Sequence, residues 1–469
     1  MKRAARRFVT KHPHFVLKLI CIVLLFSLIV YLKSNADAKR EAKQQNSKGR
    51  FDAPSSQQDD LNLVKPSTEF IAHVLVFCSM RPDALRNHLS QLLRQRPTSS
   101  SYKIVISQDG NNGAVRHVAN KFKEDFKNVS YIQHERVKTK KGNNYPAISA
   151  HYKWALDKVF FEMNAEHVIV TEDDLDIGND FFSYFQWGKK VLDSDKTVWC
   201  ISAWNDNGAR NLVNQEDADK LWRTDFFPGL GWMLTKSLWE ELSPIFPSSY
   251  WDDWMRSPSV RKNRSCIRPE LSRTSHNMKL AGKGSSGGLF KDFLSKIEAS
   301  KNFIEFMWIP TSVVEKSNYD KKLAEEIKNA KLVNMTELHL LDISDSHNYK
   351  VAFDNVRKWN EIAKFFKIMT DIRGGMQRTA YYGVVTLMYQ EARFYIVPEE
   401  TANNPNQLTS YVYDEKWDKQ NRFLEFEAFY CKSKKYTGKC DPHSPEMFEF
   451  FTKKGWKKRL ADWGEMIVV

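Results

Sequence analysis

The chain has 469 residues, 42% of them hydrophobic, and a formal net charge of +14. That is ample apolar material for a large core, and the length is that of two or three domains. The charge argues for nucleic acid only until it is located. Residues 1–50 hold twelve Lys/Arg and two Asp/Glu, so +10 sits there and only +4 belongs to the other 419 residues. No basic stripe with interleaved aromatics or RNA-binding motif follows, which argues against a nucleic-acid partner.

Phe15 to Leu32 is an apolar run of eighteen residues broken only by Lys18 and Ser27. It is long enough to cross a thin bilayer if Lys18 snorkels to the near interface. A cleaved signal peptide is the alternative, since Ala36-Asp37-Ala38 offers a small-x-small site. The run exceeds the usual signal core, so a cytoplasmic tail (1–14) and a retained signal-anchor (15–32) are expected. Both flanks are basic, so charge alone does not orient the anchor. Three N-glycosylation sequons, at Asn128, Asn263 and Asn334, favour a lumenal body. Residues 33–68 are polar without a hydrophobic period and read as a stem.

Order is expected from about Glu69. Ile71–Phe77, Tyr102–Ser107, Val129–Gln133 and His167–Thr171 read as strands, and Pro82–Leu93, Ala114–Phe122 and Pro146–Phe161 as helices. This alternation predicts a parallel, doubly wound sheet, whose ligands bind beyond the carboxyl ends of the strands. Asp109 falls at such an end. So does the triplet Glu172-Asp173-Asp174. Adjacent anions repel unless a cation holds them, and carboxylate oxygens suit Mg²⁺ or Mn²⁺ shared with substrate phosphates. A solvated acidic turn is the plainer reading.

Val198–Ser202 is a further strand. Pro228-Gly229-Leu230-Gly231 permits close backbone approach. Trp251-Asp252-Asp253-Trp254 sets two carboxylates among aromatics, a desolvating environment; a helix start with acidic first-turn residues is the alternative. Gly282–Gly288 has a phosphate-friendly composition but is not a Walker A loop. Residues 69–300 therefore read as a catalytic domain and 301–400 as a smaller α+β domain, with a helix over Asp354–Ile368 and a hairpin joining Ala380–Tyr389 to Arg393–Val397. Residues 401–469 are an extension rich in aromatics and lysines. Of six cysteines, Cys21 lies in the apolar run and the other five show no zinc spacing. Cys431 and Cys440 can close a small loop in the tail; buried free thiols are the alternative.

Several runs together resemble the alpha-1,3-mannosyl-glycoprotein 2-beta-N-acetylglucosaminyltransferases. They are Glu172-Asp173-Asp174-Leu175, Asp180-Phe181-Phe182-x-Tyr184-Phe185, Trp199-Cys200-x-Ser202 through Gly208, Arg223 through Trp232, Trp251 through Arg256, and Arg268-Pro269-Glu270-x-Ser272-Arg273-Thr274. The resemblance covers roughly residues 70–400. It implies a Rossmann-like GT-A nucleotide-sugar transferase domain, with UDP-N-acetylglucosamine as donor and Mn²⁺ as metal. Asp174 would ligate the metal, and Glu172 and Asp173 would contact sugar and ribose. Arg81, Asp109 and His151 match positions around uridine and diphosphate. Arg264 and Ser286, in the 283–286 loop, match groups that order over the donor. Asp252 matches the general base. The resemblance also pairs Cys200 with Cys266. It leaves Cys78 without its usual partner, because Gly110 stands where the family has a cysteine. The acceptor would be a mannose-terminated N-glycan and the location the Golgi membrane, type II with a lumenal body.

The residues themselves suit that chemistry. A divalent ion and cationic side chains such as Arg81 or Arg264 stabilise a diphosphate leaving group. One carboxylate base and one direct displacement invert the anomeric centre. His151 as a core histidine and Arg81 as a helix-start surface cation are the plainer alternatives. Transfer to protein O-linked mannose, or glycan binding without turnover, would use similar residues.

Overall fold

Strand β1 (Ala72–Cys78, sequence AHVLVFC) is buried along its whole length, as a strand covered on both faces must be. Its side chains divide with a period of two. Val74 and Val76 join one hydrophobic cluster, Leu75 and Phe77 another. The computed structural model describes residues 69–139, 143–281, 290–340, 348–410, 415–432 and 436–453.

The chain then alternates through α1 (Pro82–Gln95), β2 (Tyr102–Asp109), α2 (Gly113–Asp125), β3 (Val129–His134), α3 (Tyr145–Asp157) and β4 (His167–Glu172). Each helix has a local cause. Helix α1 opens on a proline, whose missing N–H costs nothing there, and buries Leu85, Leu89 and Leu92 on one face. Helix α2 is capped by the Asn112 side chain, which accepts from the Val115 N–H. Next come β5 (Leu175–Ile177), α4 (Phe181–Ser194), β6 (Val198–Ser202), β7 (Leu221–Thr224), β8 (Trp232–Thr235), α5 (Lys236–Leu242), α6 (Trp251–Arg256), β9 (Ser265–Pro269) and β10 (Thr274–His276). Helices α1, α2 and α4 cover one face of the sheet; α3, α5 and α6 cover the other.

The main sheet has eight strands in the order β3-β2-β1-β4-β8-β6-β9-β7. Its first four are parallel, as the sequence predicts. Beyond β4 the expectation of a purely parallel sheet is corrected. Strand β8 runs antiparallel to both β4 and β6, and β7 antiparallel to β9. The reason lies in the Pro228–Gly231 turn. Gly229, Leu230 and Gly231 all have positive φ, and a β-carbon on Gly231 would lie 2.7 Å from the Thr274 side chain. This sharp, crowded reversal feeds β8 back between two older strands.

A second sheet follows, ordered β11-β12-β16-β15. Helix α7 (Lys316–Asn329) precedes β11 (Lys331–Leu332) and β12 (Tyr349–Phe353), and α8 (Val356–Phe366) follows. Two-residue strands β13 (Ile372–Arg373) and β14 (Met376–Gln377) form a hairpin that the sequence analysis does not anticipate. The expected hairpin is β15 (Val385–Tyr389), shorter at its start than expected, turning into β16 (Ala392–Pro398). The extension supplies α9 (Glu415–Phe426) and α10 (Pro445–Lys453), which bury Phe426, Tyr430, Met447 and Phe451 together. All of this belongs to one compact unit, Ser67–Val469. The anchor and stem expected over 15–68 lie outside the described residues, and among the described residues no helix is long and apolar enough to cross a membrane.

Cys200 and Cys266 face each other across β6 and β9 and are bonded, as are Cys431 and Cys440. Cys78 is free and buried, its thiol donating to the Ser107 carbonyl at 3.4 Å. The first disulfide closes a loop of 66 residues, which the chain-entropy argument equates with about 4–5 kcal/mol. Replacing both Cys200 and Cys266 with serine should lower stability to denaturant by up to that amount. A shift below about 1 kcal/mol in a urea titration would show that the bond is thermodynamically idle.

Candidate active site

Parallel pairing sets the ends of β1 and β4 side by side, with Phe77 opposite Glu172. The Asp173 N–H donates to the Phe77 carbonyl at 2.9 Å, which turns the triplet back under the strand end. Asp173 and Asp174 are almost wholly buried. Their counter-charge is Arg81, the last residue before α1. Its guanidinium donates to Asp174 Oδ2 at 2.7 Å and also bonds Asp173 Oδ1. Burial opposes that charge, but the two carboxylates overcome it and raise the Arg81 pKa. Burial, abetted by Asp174, pushes Asp173 up to about 7 against the pull of Arg81. Burial and then Asp174 also push Glu172 up to about 7, although the Tyr152 hydroxyl donates to it at 2.9 Å.

Asp173 Oδ2 and Asp174 Oδ1 are buried without a hydrogen-bond partner. Such uncommitted carboxylate oxygens are costly unless a cation uses them, and hard oxygen donors fit a divalent ion. Among the described residues no three His, Cys, Asp or Glu gather into a cage by themselves. An ion at Asp174 would thus draw its remaining ligands from phosphate or water.

Beyond the triplet, β5 pairs antiparallel with β10, which places His276 opposite Leu175. The Asn277 N–H donates to the Asp174 carbonyl at 2.8 Å. His276 Nδ1 then lies 4.0 Å from Asp174 Oδ2. Burial lowers its pKa, outweighing the pull of Asp174. The sequence reading missed this histidine: three-residue strands leave no period to read, and its only mark is following Arg273-Thr274 closely.

Helix α6 carries Asp252 and Asp253. Trp251 stacks on Tyr152, with ring centroids 4.3 Å apart. The same Tyr152 bonds Glu172, so one aromatic ring ties α6 to the triplet. The expected desolvation of Asp252 is corrected: its side chain is 42% exposed and pairs with Arg256 at 3.1 Å. The reason is the helix itself, which buries Met255 and Arg256 and turns Asp252 outward. Asp253 differs. Arg256 at 2.8 Å and Arg373 at 3.7 Å flank it, and against partial burial they hold its pKa below the ordinary range. The sequence analysis missed Arg256 as a partner, although its i,i+4 spacing from Asp252 on a helix is a signal for one. Arg373, 120 residues from Asp253 in sequence, carries no such signal.

The remaining expected residues are placed separately. Asp109, at the end of β2, is buried and held by His134 Nδ1 at 2.9 Å and by Arg136. His151 bonds Ser107 Oγ at 2.8 Å and stacks on His134. Burial, then the neighbouring His134 and Arg136, lowers its pKa to about 3, so it is neutral at working pH. Arg264 forks onto Glu241 at 3.0 and 2.8 Å and lies over Trp199; none of its bonds among the described residues reaches the triplet. Ser286 lies outside the described residues.

The raised Glu172 pKa predicts a pH effect. Its folded value exceeds the unfolded one, so ionisation destabilises the fold progressively from about pH 4.5 to about 7. Glu172→Gln keeps the Tyr152 bond and removes that cost. In chelator, the variant should gain roughly 1–3 kcal/mol over the parent at pH 8 and little at pH 5. Equal melting shifts at both pH values would refute the assignment.

The family expected from the sequence is confirmed by comparison. A family model described as GNT-I family matches residues 18–408. An alpha-1,3-mannosyl-glycoprotein 2-beta-N-acetylglucosaminyltransferase of Arabidopsis thaliana is 36% identical over 330 residues, covering 69% of this chain and 72% of that protein. Solved structures are more distant. The mannosyltransferase PcManGT from Pyrobaculum calidifontis, in complex with GDP-Man and Mn²⁺, is 15% identical with a TM-score of 0.32, covering 45% of this chain and 58% of that one. TarS 1–349 of S. aureus, in complex with UDP-GlcNAc, is 11% identical with a TM-score of 0.31, covering 57% and 69%. Likenesses so slight bear no functional argument. The sequence matches do: the chain belongs to the GNT-I family of glycosyltransferases.

Proposed function

We propose that the chain transfers N-acetylglucosamine from UDP-N-acetylglucosamine to a mannose residue of an N-linked glycan, with inversion at the anomeric carbon. The observation that carries this reading is the buried triplet with two uncommitted carboxylate oxygens, tied through Tyr152 and Trp251 to a helix bearing an open carboxylate. The name of the Arabidopsis thaliana relative supports the donor sugar and acceptor.

Each residue then has a task. A divalent cation, Mn²⁺ on this reading, supplies charge neutralisation to the leaving diphosphate when bound. Asp174 holds it, while Glu172 and Asp173 orient sugar and ribose. Arg81 lies within reach of the same charges, and transfers its guanidinium from the carboxylates to the diphosphate. Asp109, His151, Arg264 and Ser286 line or cover the donor. The acceptor hydroxyl oxygen bonds to the anomeric carbon as the bond to the diphosphate oxygen breaks. Its proton passes to Asp252, and UDP leaves with the bonding electrons. Asp252 suits this task because it is open on one side and has a single cationic partner. Asp253, gripped by two arginines, remains an anion that anchors α6.

Asp252→Asn should lower kcat by about 10²–10⁴, the usual share of a general base, with donor affinity little changed. Asp253→Asn should lose far less. Asp174→Ala should abolish both transfer and Mn²⁺-dependent UDP binding. These are measured with a mannose-terminated N-glycan and, in parallel, an O-mannosyl peptide. Transfer to the peptide alone would replace the proposed acceptor. An Asp253→Asn variant more damaged than Asp252→Asn would move the base by one residue.

We also infer that Phe15–Leu32 anchors the chain in the Golgi membrane with its body lumenal, supported by the length of the apolar run and the three sequons. N-terminal sequencing of the mature protein should find the run retained. A mature start near residue 39 would mean a cleaved signal and a secreted enzyme.

A further inference from the structure

We propose that His276 is a second protein ligand of the divalent cation held by Asp174. The inference rests on the reading that Asp174 binds such an ion. Four observations support it. First, His276 is fixed by backbone pairing rather than by its side chain. It ends β10, whose three register pairs with β5 set Thr274 against Ile177, Ser275 against Asp176 and His276 against Leu175. The following N–H closes the arrangement on the Asp174 carbonyl at 2.8 Å.

Second, the separation fits. Divalent ions of this size hold oxygen and nitrogen ligands at about 2.0–2.1 Å, so two bonds to one ion span at most about 4.2 Å. Nδ1 of His276 lies 4.0 Å from Asp174 Oδ2. Arg81 bonds the same Oδ2 at 2.7 Å, so an ion reaches both groups without backbone movement once that guanidinium swings away, or through the neighbouring uncommitted Oδ1. Third, the imidazole has no other polar employment: among the described residues neither ring nitrogen forms a hydrogen bond. The edge of Trp204, with ring centroids 5.7 Å apart, limits where the ring can turn. Fourth, Asp174 Oδ1 and Asp173 Oδ2 are buried and uncommitted beside it, so the cleft has spare donors and needs a cation. Arg81 neutralises the other oxygens, Asp173 Oδ1 and Asp174 Oδ2, in part.

The consequence concerns retention. With Asp174 alone, most of the ion's coordination would come from water and phosphates, and the ion would leave with UDP. With His276 added, the chain itself grips the ion from two strands. Imidazole also shifts preference from Mg²⁺ towards Mn²⁺ and its softer neighbours.

The test uses the full chain with Mn²⁺ as the probe, followed by electron paramagnetic resonance with and without UDP. Mn²⁺ should bind the parent without nucleotide, and His276→Ala should weaken that binding by about 10–100-fold, a loss seen even for groups one step removed from a metal. The parent's spin-echo spectrum should show a directly bonded nitrogen that changes when histidine is labelled with ¹⁵N. That measurement needs no variant, so it holds even if His276→Ala fails to fold. If Asp174→Ala abolishes binding while His276→Ala matches the parent and no histidine coupling appears, the inference falls and the Asp174 reading stands. If the parent binds no Mn²⁺ even with saturating UDP, the metal reading itself falls, and this inference with it.

Discussion

Three adjacent carboxylates at the end of a buried strand are the constraint around which the site is organised. Ionised together in a water-poor cleft they cost free energy, and the fold meets that cost from several directions. Arg81 bonds two of them, the Tyr152 hydroxyl bonds the third, and the Phe77 carbonyl pins the backbone between. Each partner comes from a different element: the β1–α1 turn, α3 and the end of β1. The triplet could not be tolerated until those elements had packed. A residual cost persists in the raised values of Glu172 and Asp173, and the site is left electrostatically hungry for positive charge.

The β13–β14 hairpin and its flanks contribute to the site without touching the triplet. A chain of ion pairs runs from Asp206 to Arg378 at 2.6 Å, from Arg378 to Asp371 at 2.9 Å, and through Arg373 to Asp253. Asp206 and Asp371 are buried and the other three half-buried, and each arginine bridges two carboxylates, so the order already imposed on one pair lowers the entropic cost of the next. The β13–β14 turn presses on α6 as well: a β-carbon on Gly374 would lie 2.6 Å from the Arg256 carbonyl oxygen, and its φ is positive. Helix α6 has only six residues and would not hold itself. Packing and this charge chain fix its orientation, and hence the direction in which Asp252 points.

What the sequence revealed follows from what is local. Val198–Ser202 and His167–Thr171 were legible because continuous apolar runs bounded by polar residues have few other uses. The triplet was legible because like charges in a row demand an explanation. The direction of β8 was not, since strand polarity depends on which edges stay open after earlier strands have paired. Nor were Arg136, Tyr152 and Arg378, whose partners in the site lie 20 to 172 residues away. Asp252 was found by type and context, but its exposure was misjudged, because aromatic neighbours in sequence point to other sides of a helix.

The position of β8 also has a consequence for how the chain is made. Strands β3, β2, β1 and β4 pair in parallel and are complete once Glu172 has left the ribosome, but β4 gains its other neighbour only at Trp232, 60 residues later. At 5–20 residues per second that interval is roughly 3–12 s. Through it the nascent chain displays an apolar, open edge beside its anionic triplet, the kind of surface that pairs with strangers. The segment made during this wait is mostly a helix and loops, with β5, β6 and β7 as its strands, and none of them pairs with β4. The topology thus delays the closing strand, and the vulnerable edge lies beside the candidate active site.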